Sequence, residues 1–290
     1  MRRRFGLQTL AIVAIVFGLP SATTAEVSRD SASLSAILMS VGDDADPISP
    51  LGWSPYRSGQ TVMILNADGV VREDGRPDIA WRADGAPVVV WAWNLGTDHD
   101  IALSEWDGFA WTEPAFLTSG ISDDLDPRVF VELDGTVHLT WWTDGTPSAV
   151  YVMSRPAGSG WLAPVLVTGP EESGRRPSVA VFDGALLVAY ERASDAPGMI
   201  QEIVVATEQP GGDFAYEVVA ATARADRLDA VLHAERGKLW VDWKQDEALI
   251  GYAEREDGAW AVASPLAWTD PSWIGVELVR RDVRLRVLVN

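Results

Sequence analysis

Arg76-Pro77-Asp78-Ile79-Ala80-Trp81, then Asp84-Gly85, then Pro87-Val88-Val89-Val90-Trp91 is the stretch that decides the fold, because it returns. Fifty residues on stand Asp126-Pro127-Arg128-Val129-Phe130, Asp134-Gly135 and Val137-His138-Leu139-Thr140-Trp141. Fifty further come Arg176-Pro177-Ser178-Val179-Ala180, Asp183-Gly184 and Leu186-Leu187-Val188-Ala189-Tyr190. A weaker fourth copy reads Asp229-Ala230-Val231-Leu232, Arg236-Gly237 and Leu239-Trp240-Val241-Asp242-Trp243. Each copy predicts a strand, a tight turn and a second strand. Asp-Gly between β-rich runs is a hairpin signal, and a type I′ turn places both central residues at positive φ.

Working outward, each copy carries a second hairpin. Its third strands are Ile101-Ala102-Leu103-Ser104, Val150-Tyr151-Val152-Met153, Ile203-Val204-Val205-Ala206 and Leu249-Ile250-Gly251-Tyr252. Glycine turns follow at Asp107-Gly108, Gly158-Ser159-Gly160, Gly211-Gly212 and Asp257-Gly258, and an aromatic closes each: Trp111, Trp161, Phe214 and Trp260. Four strands in about fifty residues, with turns at fixed offsets, describe the blade of a β-propeller. A solenoid with four strands per coil is the structural rival. The copies cover residues 76 to about 266, and Asp270-Pro271-Ser272-Trp273-Ile274 restarts the pattern half a blade before the end. Strands within 34–39 and 61–65 would supply the missing half, so the N- and C-terminal strands would share a blade and remove two sheet edges. That arithmetic favours five blades. Six are admitted because Asp43-Asp44-Ala45-Asp46-Pro47 matches Asp123-Asp124-Leu125-Asp126-Pro127.

The turn between third and fourth strands has a frame of its own. Ser104, Gly108 and Trp111 stand at positions one, five and eight; Ser154, Gly158 and Trp161 repeat that spacing, as do Thr207, Gly211 and Phe214. This resembles the Asp-box (BNR) turn of the sialidase-like propellers, over most of residues 76–266. The box is degenerate, since position three lacks its Asp and Asp107 falls one residue late. The resemblance implies the fold and a structural role for the turn. In that family a Tyr–Glu pair is the nucleophile and three arginines bind the substrate carboxylate. Neither set is assignable here by motif, and Arg76-Pro77 and Arg176-Pro177 match the family's arginine signature only loosely.

Arg2, Arg3 and Arg4 precede a largely apolar run from Phe5 to Leu19, and Ser21-Ala22-Thr23-Thr24-Ala25 ends in small residues. This predicts a signal peptide over 1–25, a single β-propeller domain over 26–290, and export to the periplasm or the medium. The run is short for a membrane span and is interrupted by Gln8 and Thr9; a retained N-terminal anchor is the alternative. The chain has no Cys, so lipid anchoring is excluded and the fold holds without disulfides. With the leader removed, 20 basic against 42 acidic residues remain, about −22. Such a charge opposes nucleic acid and anionic membranes, where Lys and Arg must neutralise phosphate.

The innermost strands of a propeller line its channel, with side chains alternating across them. The residues before the blade-opening position are Arg76, Asp126, Arg176, Asp229 and Asp270; those after it include Asp78, Arg128 and Ser178. They should gather at one mouth, as mutual ion pairs or as a polar pocket. Trp91, Trp141, Trp243, Trp111, Trp161 and Trp260 keep the repeat frame and predict packing between blades. Trp93 and Trp142 abut the mouth loops and are the candidates for stacking on a sugar or a partner. Asp98 and Asp144 join Asp78, Asp126 and Asp270 as carboxylates that hydrolysis would need. The acidic turns at Asp43 and Asp123 suit calcium by ligand type but match no EF-hand spacing, so no cofactor is expected. The reading is a recognition propeller for a glycan or an extracellular protein. A sialidase-like glycoside hydrolase and a purely structural module are the alternatives, and the oligomeric state is left open.

Overall fold

The structure, a computed structural model, describes residues 12–16, 36–40, 63–64, 75–194, 196–223, 228–235, 237–244, 249–262, 266–267, 277–280 and 283–286. The chain divides into two compact units, residues 76–271 and a second made of residues 1–75 with 272–290. Every element among the described residues is a strand. No helix there is long and apolar enough to cross a membrane.

The larger unit holds four antiparallel sheets in sequence order. Sheet I is Asp78–Trp81, Pro87–Asn94, His99–Glu105 and Ala115–Phe116. Sheet II is Asp124–Val131, Val137–Thr143, Ala149–Arg155 and Val165–Leu166. Sheet III is Gly174–Phe182, Ala185–Ala193, Gln201–Glu208 and Phe214–Thr222. Sheet IV is Val231–Glu235, Lys238–Lys244, Leu249–Glu256 and Ala259–Val262, with Leu266–Ala267 also pairing to its third strand. In the smaller unit Ile12–Val16, inside the segment read as a leader, pairs in parallel with Ala36–Ser40. That strand pairs antiparallel with Met63–Ile64, and Glu277–Arg280 forms a hairpin with Val283–Arg286.

Strand alternation explains how the sheets stack. Val88, Val90 and Ala92 of sheet I pack on Val137, Leu139 and Trp141 of sheet II. Trp142, Val150 and Val152, on the other face of sheet II, pack on Val188 and Tyr190 of sheet III. Leu187 and Ala189 then meet Leu239, Val241 and Trp243 of sheet IV. The frame aromatics Trp141, Tyr190 and Trp243 therefore each face the preceding sheet, and each is at most 5% exposed. Burying an aromatic of that size contributes roughly 1.5–3 kcal/mol, so these seams carry the stability that no disulfide supplies.

The turns depart from expectation at two places. Asp183-Gly184 and Asp257-Gly258 do have both residues at positive φ, between 48° and 84°. At Asp84-Gly85 and Asp134-Gly135 only the glycine is positive, at 87° and 94°. These two loops are one residue longer. Gly85 N donates to Arg82 O at 2.9 Å, and the Asp84 carboxylate accepts from Ala86 N at 2.9 Å. The Asp thus closes the turn with its side chain and stays right-handed, which is the other common use of Asp in turns.

Candidate functional site

A distorted residue stands at or just before the start of the first strand in sheets II, III and IV. In sheet II the pairing slips between Leu125 and Arg128, and in sheet III between Arg175 and Ser178. Asp126, Arg176 and Asp229, at equivalent repeat positions, all adopt the left-handed region, with φ of 46°, 48° and 48°. Pro127 and Pro177 follow without an N–H to pair, which suits a bulge. Non-glycine residues in this conformation cost on the order of 1–3 kcal/mol each, and such strain gathers at sites where geometry matters. Arg176 is the costly one, since it lacks the short side chain that lets Asp bond locally.

Those residues and their neighbours form an ionic lattice, and a separate pair joins Asp78 to Arg128. Arg76 donates to Asp229 at 2.6 Å and lies 3.5 Å from Asp126, so it spans from sheet IV to sheet II. The other Asp126 oxygen accepts from Trp142 Nε1 at 2.9 Å. Arg176 donates to Glu191 at 2.8 Å, and the second Glu191 oxygen accepts from Asp229 N at 2.7 Å. Asp78 lies 3.6 Å from Arg128 and accepts from Val129 N at 2.9 Å. Trp142 and Glu191 both follow a frame aromatic, so the same slot holds the left-handed residue of its own sheet. In sheet I that slot is Ala92, which has nothing to offer Arg76, and Arg76 reaches outward instead.

Six of the sequence candidates are thus held at this end of the sheets: Arg76, Asp78, Asp126, Arg128, Trp142 and Arg176. Trp142 is 8% exposed, with the Arg175 guanidinium 5.2 Å from its ring centroid. The others stand elsewhere. Asp144 and Arg175 are about half exposed at 53% and 52%, and 4.0 Å apart. Trp93 is half-buried against Trp91 and Phe116, at 5.7 and 5.3 Å. Asp98 is buried and accepts from Thr97 at 2.5 Å. Asp270, with Asp43, Asp44 and Asp46, lies outside the described residues. Asp123, Asp124 and Asp126 turn to different partners, His99, Thr143 and Trp142. Among the described residues no three His, Asp or Glu are placed to hold a metal ion.

Glu191 escaped the sequence reading because its slot holds Trp in the preceding copy; counting one residue past the frame aromatic would have found it. A Tyr–Glu contact also exists that no motif announced. Tyr190 OH donates to Glu172 at 2.8 Å, and Arg192 donates to the same oxygen at 2.9 Å. Tyr190 is 0% exposed, and burial, then the carboxylate beside it, pushes its phenol far above the usual range. It is an interior anchor. The Asp-box turns sit at the opposite end of the sheets, where third strands finish. There Asp107 accepts from Phe109 N and Ala110 N, each at 2.8 Å, so the late Asp still closes the turn.

Burial pushes Asp78, Asp100, Asp124 and Glu191 above the ordinary carboxylate range. A carboxyl that holds its proton more tightly when folded stabilises at low pH and loses that contribution as pH rises through its folded-state value. The melting temperature is therefore expected to be higher at about pH 5 than at about pH 7.5. A thermal scan by circular dichroism that is level or climbs over that range contradicts the assignment.

No protein-family model matches the chain, and neither does any curated protein. Solved structures do. A thermostable family-43 glycoside hydrolase is 15% identical over 75% of this chain and 86% of its own, with a TM-score of 0.51. The intramolecular trans-sialidase of Ruminococcus gnavus is 10% identical over 69% and 71%, at 0.51. The leech intramolecular trans-sialidase is 10% identical over 68% of this chain and 51% of its own, at 0.52. At this identity the likeness concerns the fold. The chain has the fold of the sialidase-like β-propellers, built from four-stranded antiparallel sheets.

Proposed function

We propose that this chain is an exported carbohydrate-recognition propeller that holds its ligand at the end where the first strands begin. The observation that carries it is the engagement of the inner carboxylates. Asp78, Asp126, Asp229 and Glu191 each meet an arginine within 3.6 Å. Glycoside hydrolysis instead asks for one carboxylic acid and one carboxylate facing a scissile bond. Recognition needs a polar floor and an apolar wall. The lattice is the floor; Trp93, and Arg175 stacked on Trp142, stand at the same end. The known activities of the structural neighbours on sugars support a glycan as the ligand class. Five blades are proposed, the fifth from the chain ends, which cluster in one compact unit. The basic, apolar and small-residue order of 1–25 supports export.

The second reading is a glycoside hydrolase, favoured by Glu191, whose side chain is 2% exposed and whose acid is pushed up by burial. One experiment separates the two. Purified protein is screened on a glycan array, and in parallel on chromogenic aryl glycosides. A specific array hit weakened at least tenfold by Trp93→Ala, with no glycoside cleaved, is the expected result. Cleavage lost in Glu191→Gln would establish the hydrolase. A blank on both moves the ligand to an extracellular protein, which the exposed Leu95, Met199 and Ile200 on the rim loops favour.

A further inference from the structure

Successive inner strands are laced by one repeated contact. The side chain two residues after the left-handed slot accepts from a backbone N–H of the next sheet. Asp78 of sheet I takes Val129 N at 2.9 Å, and Ser178 of sheet III takes Leu232 N at 3.0 Å. Between sheets II and III the equivalent donor is Val179 N–H. Phe182 faces Ala185 across a two-residue turn, a hydrogen-bonded pair. Alternation then makes Val179 and Val188 a non-hydrogen-bonded pair, so the Val179 N–H points out of its own hairpin. The residue in the acceptor slot is Arg128, which has five donors and no acceptor.

Val179 is 6% exposed, and among the described residues its N–H has no bond outside its hairpin. Buried backbone donors are almost always paired, so this one calls for an occupant. The arginines that the repeat sets at this step, Arg128 and Arg176, offer donors alone. Arg128 spends one contact on Asp78 at 3.6 Å, and Arg176, which opens the same strand as Val179, has a buried Nε without a partner. The neighbouring carboxylates are already engaged. Water would waste half its hydrogen bonds here, whereas an oxyanion uses acceptors only. We propose that a small oxyanion seats between sheets II and III, on Val179 N–H and the Arg128 guanidinium, and completes the lacing that Asp78 and Ser178 provide elsewhere. It is a tie within the fold, independent of any glycan.

The full chain, labelled with ¹⁵N, is titrated with phosphate, sulfate and acetate in turn, at constant pH and ionic strength against chloride. The Val179 amide is expected to shift saturably, and the melting temperature to rise by about 2–4 °C. Which salt acts names the source: phosphate or sulfate an inorganic ion, acetate a carboxylate. Arg128→Ser, which places in the slot the hydroxyl that Ser178 carries, is expected to abolish the response, and to melt below the parent in chloride because Asp78 loses its arginine. A Val179 amide unmoved by all three salts overturns the proposal, as does an Arg128→Ser protein that responds like the parent. If that variant does not fold, the parent's amide titration decides alone.

Discussion

Arg76→Ala is expected to lower the melting temperature by about 5–10 °C, from a loss of about 2–3 kcal/mol. Arg76 lies between Asp229, at 2.6 Å, and Asp126, at 3.5 Å, with the three side chains 22%, 22% and 11% exposed. Removing the cation leaves two half-buried carboxylates facing the same emptied position. Breaking a fully buried pair costs about 3–5 kcal/mol, and the remaining exposure here trims that figure. Asp126 cannot swing away to water at little cost, because its other oxygen holds Trp142 Nε1 and its backbone is left-handed. Arg76→Lys restores the charge without the fork that reaches both carboxylates, and should recover about half the loss. A drop below about 1 °C in Arg76→Ala, measured by calorimetry, would show that the lattice is ornamental to stability.

Gly251→Ala should cost as much through packing alone. Gly251 stands directly opposite Trp243 across the strand pair. The Trp243 indole lies over the glycine, where a Cβ would be. Trp243 is 5% exposed and belongs to the core shared with Leu187 and Ala189 of sheet III, so its ring has no free direction. Overpacking of this kind costs about 1–3 kcal/mol, and the upper end applies where the clash is with a rigid indole. The expected fall in melting temperature is about 5–10 °C. Combining Gly251→Ala with Trp243→Leu should cost less than the sum of the two single variants, since the smaller side chain makes room. Strict additivity would mean that the glycine is not there for the ring.

How much of this was legible depends on what each residue type announces. Frame aromatics and Asp-Gly turns repeat at a fixed offset, and offset alone places them on strand ends and sheet seams, so the four sheets were within reach. The exact form of the turn was not, because Asp84-Gly85 and Asp183-Gly184 are the same dipeptide in loops of different length. The left-handed backbone of Arg176 leaves no trace in its chemistry. Trp142 was placed at the mouth by its neighbours in sequence, and strand parity turns it inward against sheet III. Glu191 was hidden by the change of residue type in a slot whose geometry stays constant. The lattice is a product of tertiary pairing between sheets, and a repeat read one copy at a time does not display it.

The Arg76–Asp229 contact joins residues 153 apart in the chain. At synthesis rates of about 5–20 residues per second, Arg76 waits roughly 8–30 s before its second carboxylate exists at all. Asp126 arrives much sooner, so the nascent chain passes through a period in which sheets I and II are already joined while the far side of the lattice is vacant. Pairings that span so much chain are slow to form, so this clasp is among the last contacts to shut.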